Sequence, residues 1–247
     1  MIGIAVSTYA DNDTSKERIK IIEECLASLV PFSNDHHIIV INDGSDNEEH
    51  RKLLKKFKQF EIVELQKNRG VAYSKNTAMK YFYDLGYEHF FLLDDDIEII
   101  SSDCFSTYSY AMEKTGIDHY CHMLRDDPKY YAEYTIHKDI PIQRGWHING
   151  VFIALHRNCI TRHGYMYVFE KKFGGEHDEY TKRCMVNDQM EYILDIQENG
   201  LIKYNGWVDT SGDWESKDMK NSVAECDAIG WQHYVPFVGK EILNGKN

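Results

Sequence analysis

The sequence predicts an α/β fold: a mostly parallel sheet covered by helices on both faces. Three observations carry that expectation. The first hundred residues alternate apolar runs with helical periodicity in the order β-α-β-α-β-α-β, the signature of crossover-connected parallel strands. The runs Ile2–Thr8, Ile38–Ile41 and Phe90–Leu93 are nearly continuous in apolar residues, as strands buried on both faces should be. Finally, three of the strands end in polar, mostly acidic segments: Thr8-Tyr9-Ala10-Asp11, Asn42-Asp43-Gly44-Ser45 and Asp94-Asp95-Asp96. In open α/β sheets that rim is where ligands bind.

The elements follow in order. After the first strand, Thr14-x-x-Glu17 reads as a capping box, and Ile19, Ile22, Leu26 and Leu29 recur at helical spacing. Behind the second strand, Asp46-x-x-Glu49 caps another helix, with Leu53, Leu54 and Phe57 inward and Lys52, Lys55, Lys56 and Lys58 outward. Glu61–Leu65 is a third strand, and Val71–Leu85 a third helix closed by Gly86. Beyond Asp96 the spacing predicts a helix from about Cys104 to Lys114. An aromatic, polar stretch over 120–144 shows few clear elements, and Ile148–Leu155 reads as a strand. Glu176–Asn199 reads as a helix ended by Gly200, and the tail from Gly206, with Trp207, Trp214 and Trp231, as a loop-rich lid. With no internal repeat or linker, residues 1–247 are expected to form one domain, with a nucleotide-binding half (1–100) and an acceptor-binding half (101–247).

Composition narrows the partners. A net charge of −12 opposes extended binding to a polyanion unless basic residues are concentrated in one patch. The 17 tyrosines suit stacking on sugars or bases but fill cores as readily. The start has no basic leader, and no apolar run reaches the length of a membrane span. Six scattered cysteines without a CxxC pair read as reduced thiols, and a cytoplasmic location is expected. His119-x-Cys121-His122 offers ligand types for Zn²⁺, but its spacing matches no zinc module and a second ligand pair is not obvious.

Asp94-Asp95-Asp96 is the chemically suggestive stretch. In an extended chain Asp94 and Asp96 share one face and Asp95 the other. Carboxylates held together repel unless a cation sits between them, and oxygen ligands of this kind suit Mg²⁺ or Mn²⁺. An isolated acidic turn would mean little; its place among other strand-end motifs changes that.

Four motifs in order resemble those of the GT-A glycosyltransferases of the family 2 type. They are Ser7-Thr8-Tyr9-Ala10, Asn42-Asp43-Gly44-Ser45-Asp46, the run from Asn68 through Gly70 and Lys75 to Asn76, and the DxD motif Asp94-Asp95-Asp96. The resemblance implies a GT-A fold and a metal-dependent transferase that moves a sugar from a nucleotide donor, a UDP-sugar, to a hydroxyl acceptor. It implies donor contacts from Thr8, Tyr9, Asp11, Asp43, Lys75, Asp94 and Asp95, with Asp43 near the base and Lys75 near the diphosphate. Asp94 and Asp96 would bind Mn²⁺ or Mg²⁺, with His233 as a third ligand. Asn149 and Gly150 stand where relatives carry a glycine-rich donor-sugar loop.

Gly174-Gly175-Glu176-His177-Asp178 resembles the GGED-type motif of galactosyl- and N-acetylgalactosaminyltransferases, which implies donor contact by Gly175 and a catalytic base. His177 stands where inverting members carry an aspartate, so Glu176, His177 and Asp178 all remain candidates for the base, and the stereochemical outcome stays open. The expected acceptor is a saccharide, with a hydroxymethylated base of viral DNA as the alternative. A sugar nucleotidyltransferase would need a glycine-rich basic loop after the first strand, where this chain has Thr8-Tyr9-Ala10-Asp11-Asn12. A degenerate sugar-binding module is the non-enzymatic alternative.

Overall fold

The computed structural model describes residues 2–122, 131–145, 150–169, 175–188, 193–196, 200–205 and 234–237. Apolar side chains alternate across the strands into two separate cores, so every central strand is buried on both sides. In β1 (Ile2–Thr8), Ile4 and Val6 face one core and Ala5 the other; in β4 (His89–Asp94), Phe91 and Leu93 oppose Phe90 and Leu92. The first core is roofed by α1 (Lys16–Leu29), α2 (Glu48–Leu54) and α4 (Cys104–Thr115). The second is roofed by α3 (Val71–Asp84), α5 (Arg157–His163) and α6 (Glu176–Asn187). Each fully buried Phe or Leu contributes about 1.5–3 kcal/mol.

The main sheet has the order β3-β2-β1-β4-β9-β6, with β2 at His37–Asn42, β3 at Glu61–Glu64, β6 at His119–Cys121 and β9 at Phe152–His156. Strands β3, β2, β1 and β4 run parallel, as expected, while β9 is antiparallel to both β4 and β6. Two small sheets flank it: β7 (Tyr131–His137), β8 (Ile140–Gly145) and β10 (Ile193–Ile196) in one, and β5 (Ile97–Ile99) with β11 (Ile202–Tyr204) in the other. Among the described residues no helix is long and apolar enough to cross a membrane.

Several boundaries differ from expectation. The caps shift by one residue: Ser15 accepts from Arg18 N, and Asn47 from His50 N, each at the N-terminus of its helix. Thr14 instead donates to Asp11 Oδ1, closing the loop before α1. The stretch 120–144 contains the β7–β8 hairpin, turned at Lys138 and Asp139, both with positive φ. The expected long helix over 176–199 stops at Asn187, and Ile193–Ile196 pairs with β8 as a strand. The expected strand from Ile148 begins at Phe152, and α5 follows it directly.

Candidate active site

Strand register collects the polar strand ends on one rim. Pairing sets Thr8 opposite Asn42 and Ser7 opposite Asp94. Because β9 runs the other way, its beginning comes to that rim: Val151 O accepts from Asp94 N at 2.8 Å, with Gly150 just before it.

Lys75 is the hub of the cluster beneath this rim. It is fully buried on α3, and its ammonium has three partners: Asp94 Oδ1 at 2.6 Å, Gly150 O at 2.6 Å and His177 Nε2 at 3.3 Å. Three donors thus meet three acceptors, and His177 Nε2 serves as acceptor toward Lys75. Burial, the Lys75 charge and His119 hold the His177 imidazole well below its ordinary pKa, so it is neutral. Glu176 Oε1 lies 3.3 Å from the same Nε2, while Nδ1 is buried without a hydrogen-bond partner. Gly150 must be glycine here, because a Cβ would overlap the His177 ring. Gly150→Ala is therefore expected to leave the fold intact by circular dichroism while lowering turnover by about a hundredfold, the usual cost of a misplaced catalytic group.

The three aspartates have different surroundings. Asp94, with its side chain 28% exposed, is bound to Lys75; burial raises its pKa, and the ammonium opposes that rise. Asp95 is buried and paired with Arg18 of α1. Asp96 Oδ1 is buried with no hydrogen-bond partner, and burial together with Asp94 and Asp95 pushes its carboxyl up to about 7. An orphaned carboxylate beside two others is an incomplete charge arrangement, and its hard oxygens fit a divalent cation.

The remaining expected donor residues line the other side of the rim. Thr8 Oγ1 bonds His50 Nε2 at 2.9 Å, and Thr8 O accepts from Asp43 N. Tyr9 is 37% exposed beside them. Asp11 shapes the following loop by accepting from Asp13 N and Thr14 Oγ1. Asp43 is buried, with Oδ1 accepting from Arg69 N at 2.7 Å and Oδ2 from Gly70 N at 2.8 Å. It thereby holds the loop that opens α3. Gly44, at φ +69°, fits under that loop because a Cβ would overlap the Lys67 backbone. Asn76 clasps the second half of the chain: Nδ2 donates to Met166 O and Oδ1 accepts from Met166 N, each at 2.8 Å.

At the start of α6, Gly175 adopts a left-handed conformation and Glu176 is buried. The Asp178 side chain is 24% exposed, 4.0 Å from Lys182. Asn149, His233 and, apart from residues 234–237, the lid expected from Gly206 lie outside the described residues. Arg18 and His50 carry no motif that marks them as site residues; each supports a rim residue from a helix far along the chain. The run His119-x-Cys121-His122, whose spacing matches no zinc module, divides, with His119 Nε2 3.2 Å from Thr181 Oγ1 and His122 turned toward Asp195.

Comparisons with known proteins bear on the family and the fold. The model of the family described as glycosyl transferase family 2 matches residues 14–173. Uncharacterized glycosyltransferase R363 of Acanthamoeba polyphaga mimivirus is 32% identical over 198 residues, covering 79% of this chain and 77% of that protein. Among solved structures, S. aureus TarS 1–349 in complex with UDP-GlcNAc superposes with a TM-score of 0.61 at 15% identity, covering 92% of this chain and 65% of that one. Mannosyltransferase PcManGT from Pyrobaculum calidifontis, in complex with GDP-Man and Mn²⁺, gives 0.51 at 16% identity, with 74% and 51% covered. The chain spans only 36% of the longer TarS chain. At such identities the solved structures speak to the fold, which is GT-A. The family match covers well over half of the sequence, so the chain is a glycosyltransferase and belongs to glycosyl transferase family 2.

Proposed function

We propose that the chain transfers a sugar from a nucleoside-diphosphate donor, a UDP-sugar, to a hydroxyl of a saccharide acceptor, with Mn²⁺ or Mg²⁺ held by Asp94 and Asp96. The observation that carries the metal is Asp96, whose buried Oδ1 lacks a hydrogen-bond partner and whose carboxyl is pushed up to about 7 by burial and by Asp94 and Asp95. A bound divalent cation would offset the charge developing on the leaving diphosphate. Residues 1–100 form the donor half, with Thr8, Tyr9, Asp11 and Asp43 toward the nucleoside and Lys75, Asp95 and Gly150 supporting the diphosphate end. Residues 101–247 supply the acceptor side, with Gly175 letting the backbone approach the sugar, Asn149 joining Gly150 at the donor sugar and His233 as the third metal ligand, in a cytoplasmic setting.

Within this reading Glu176 accepts the acceptor's proton. His177 is poorly suited to that task, because the Lys75 ammonium already occupies its Nε2 lone pair. Glu176→Gln is expected to lower kcat by about two orders of magnitude with donor affinity unchanged. Equal loss in Asp178→Asn, with Glu176→Gln active, would move the role to Asp178.

A saccharide acceptor is favoured over modified DNA by the charge pattern. In the lysine-rich α2 region, Lys52 pairs with Glu48 and Lys56 with Glu23, so that surface is largely neutralised. The test is a panel of nucleotide sugars with Mn²⁺, followed by hydrolysis and calorimetry. Neither turnover nor binding of any UDP-sugar would sink the proposal.

A pH dependence follows. The Asp96 proton must leave before a cation binds. Cation affinity should therefore rise about tenfold per pH unit below 7 and level off above it. The same raised pKa means that, without metal, Asp96 favours the folded state most at low pH. That contribution is lost as pH rises from the ordinary carboxyl range through about 7. Calorimetric titration with Mn²⁺ from acid to neutral pH checks the first statement; a flat profile contradicts it.

A further inference from the structure

On the face of the sheet remote from the aspartates' side of α1, α5 packs against α6 with three ligand-type side chains between them. Cys159 and His163 are four residues apart on α5 and so project from one helical face, toward Cys184 of α6. All three are buried, at 0%, 2% and 0% exposure, and one ligand atom from each lies within 4.8 Å of the others. We propose that Cys159, His163 and Cys184 supply three ligands of a tetrahedral Zn²⁺ site that pins α5 to α6, a water completing the fourth position.

The spacing fits a shared metal. Two thiolates on one tetrahedral zinc, with bonds of about 2.3 Å, stand roughly 3.8 Å apart; Cys159 Sγ and Cys184 Sγ are 3.6 Å apart. The imidazole is oriented by a carboxylate on one ring nitrogen, as metal-bound histidines are: His163 Nε2 lies 3.2 Å from Asp188 Oδ2, which is itself held by Arg162, and Nδ1, the nitrogen left for a metal, would give up a long 3.4 Å contact with Asn187 Nδ2. Tyr180 Oη sits 3.5 Å from Cys159 Sγ, at the edge of the group. Binding would release one proton from each thiol. Thiolate and imidazole ligands select zinc, whereas the carboxylates at the sheet rim suit harder ions, so the two sites would sort different cations. The first turn of α6 carries Glu176, His177 and Asp178, so a zinc tie to α5 would brace that turn whatever sugar is transferred.

The test is cobalt titration of chelator-treated, phosphine-reduced protein. One equivalent should produce a near-ultraviolet thiolate-to-metal charge-transfer band that Zn²⁺ bleaches. The band should vanish in Cys184→Ala and persist in Asp96→Ala, because carboxylate-bound cobalt has no such transition. Cobalt uptake without the band, or a band unchanged in Cys184→Ala, would overturn the site, as would a Cys159–Cys184 disulfide as the stable state under the same reductant. Should Cys184→Ala fail to fold, cadmium NMR of the unaltered protein counts the sulfur ligands directly, and an all-oxygen shift would decide against the proposal.

Discussion

Asp96→Ala is expected to abolish cation-dependent donor binding and to lower turnover by about a thousandfold, corresponding to several kcal/mol of lost charge stabilisation. Asp94 is the less informative position, because Lys75 already sits on its carboxylate at 2.6 Å. Asp96 has no such partner, and its buried Oδ1 is the unsatisfied atom of the pair. The same substitution should have the opposite sign without metal. Removing a carboxyl that its neighbours push up to about 7 relieves repulsion, so the metal-free variant at neutral pH should be more stable by about 1–2 kcal/mol. Calorimetry with Mn²⁺ and urea unfolding in chelator read the two effects separately. An unchanged Mn²⁺ affinity would remove Asp96 from the site.

Arg183→Met carries the largest expected cost in stability. The Arg183 and Glu179 side chains are both fully buried and joined by two bonds, Nε to Oε1 at 2.6 Å and Nη2 to Oε2 at 2.9 Å. The same guanidinium donates to Tyr165 O at 2.7 Å and to His163 O. Loss of the cation removes the guanidinium counter-charge from a buried carboxylate and this donor from two carbonyls. We expect about 3–5 kcal/mol of destabilisation, measured as the shift of the urea midpoint at constant slope. Pairing the change with Glu179→Leu should recover most of that loss, since the stranded charge is then absent. A single-variant cost under about 1 kcal/mol, the range of solvent-exposed pairs, would mean that water reaches the pair.

The donor half was legible because its elements carry their own local signals. The strands are continuous apolar runs, and Gly86 follows α3 at φ +80°. The capping assignments missed by one residue because Thr14-Ser15 and Asp46-Asn47 each offer two adjacent capping side chains; tertiary contacts, such as Asn47 Nδ2 to Asp11 O, choose between them. The second half was less readable. The β7–β8 turn uses Lys138 and Asp139 rather than glycine, and α5 starts directly at the end of β9 without a breaker. Within the site, Asp43, Lys75, Asp94 and Asp96 stood out as motif residues at element ends. Arg18 and His50 did not, because their partners Asp95 and Thr8 lie 77 and 42 residues away and only the assembled fold brings them together. Asp43 shows a further limit: the sequence marks the position, but not that both oxygens already bind the backbone of Arg69 and Gly70.

The antiparallel strand β9 has a consequence for how the chain folds. Strand β4 lies between β1, made early, and β9, made much later. As synthesis proceeds, β3, β2, β1 and β4 can assemble while one edge of β4 still lacks a neighbour. That edge belongs to Phe90, Phe91, Leu92 and Leu93, fully buried once β9 pairs with it. Until residues 152–156 emerge, the nascent protein therefore presents an open, apolar strand, the kind of edge that recruits foreign strands or chaperones. Truncation before β9 should yield aggregates rather than a smaller folded unit.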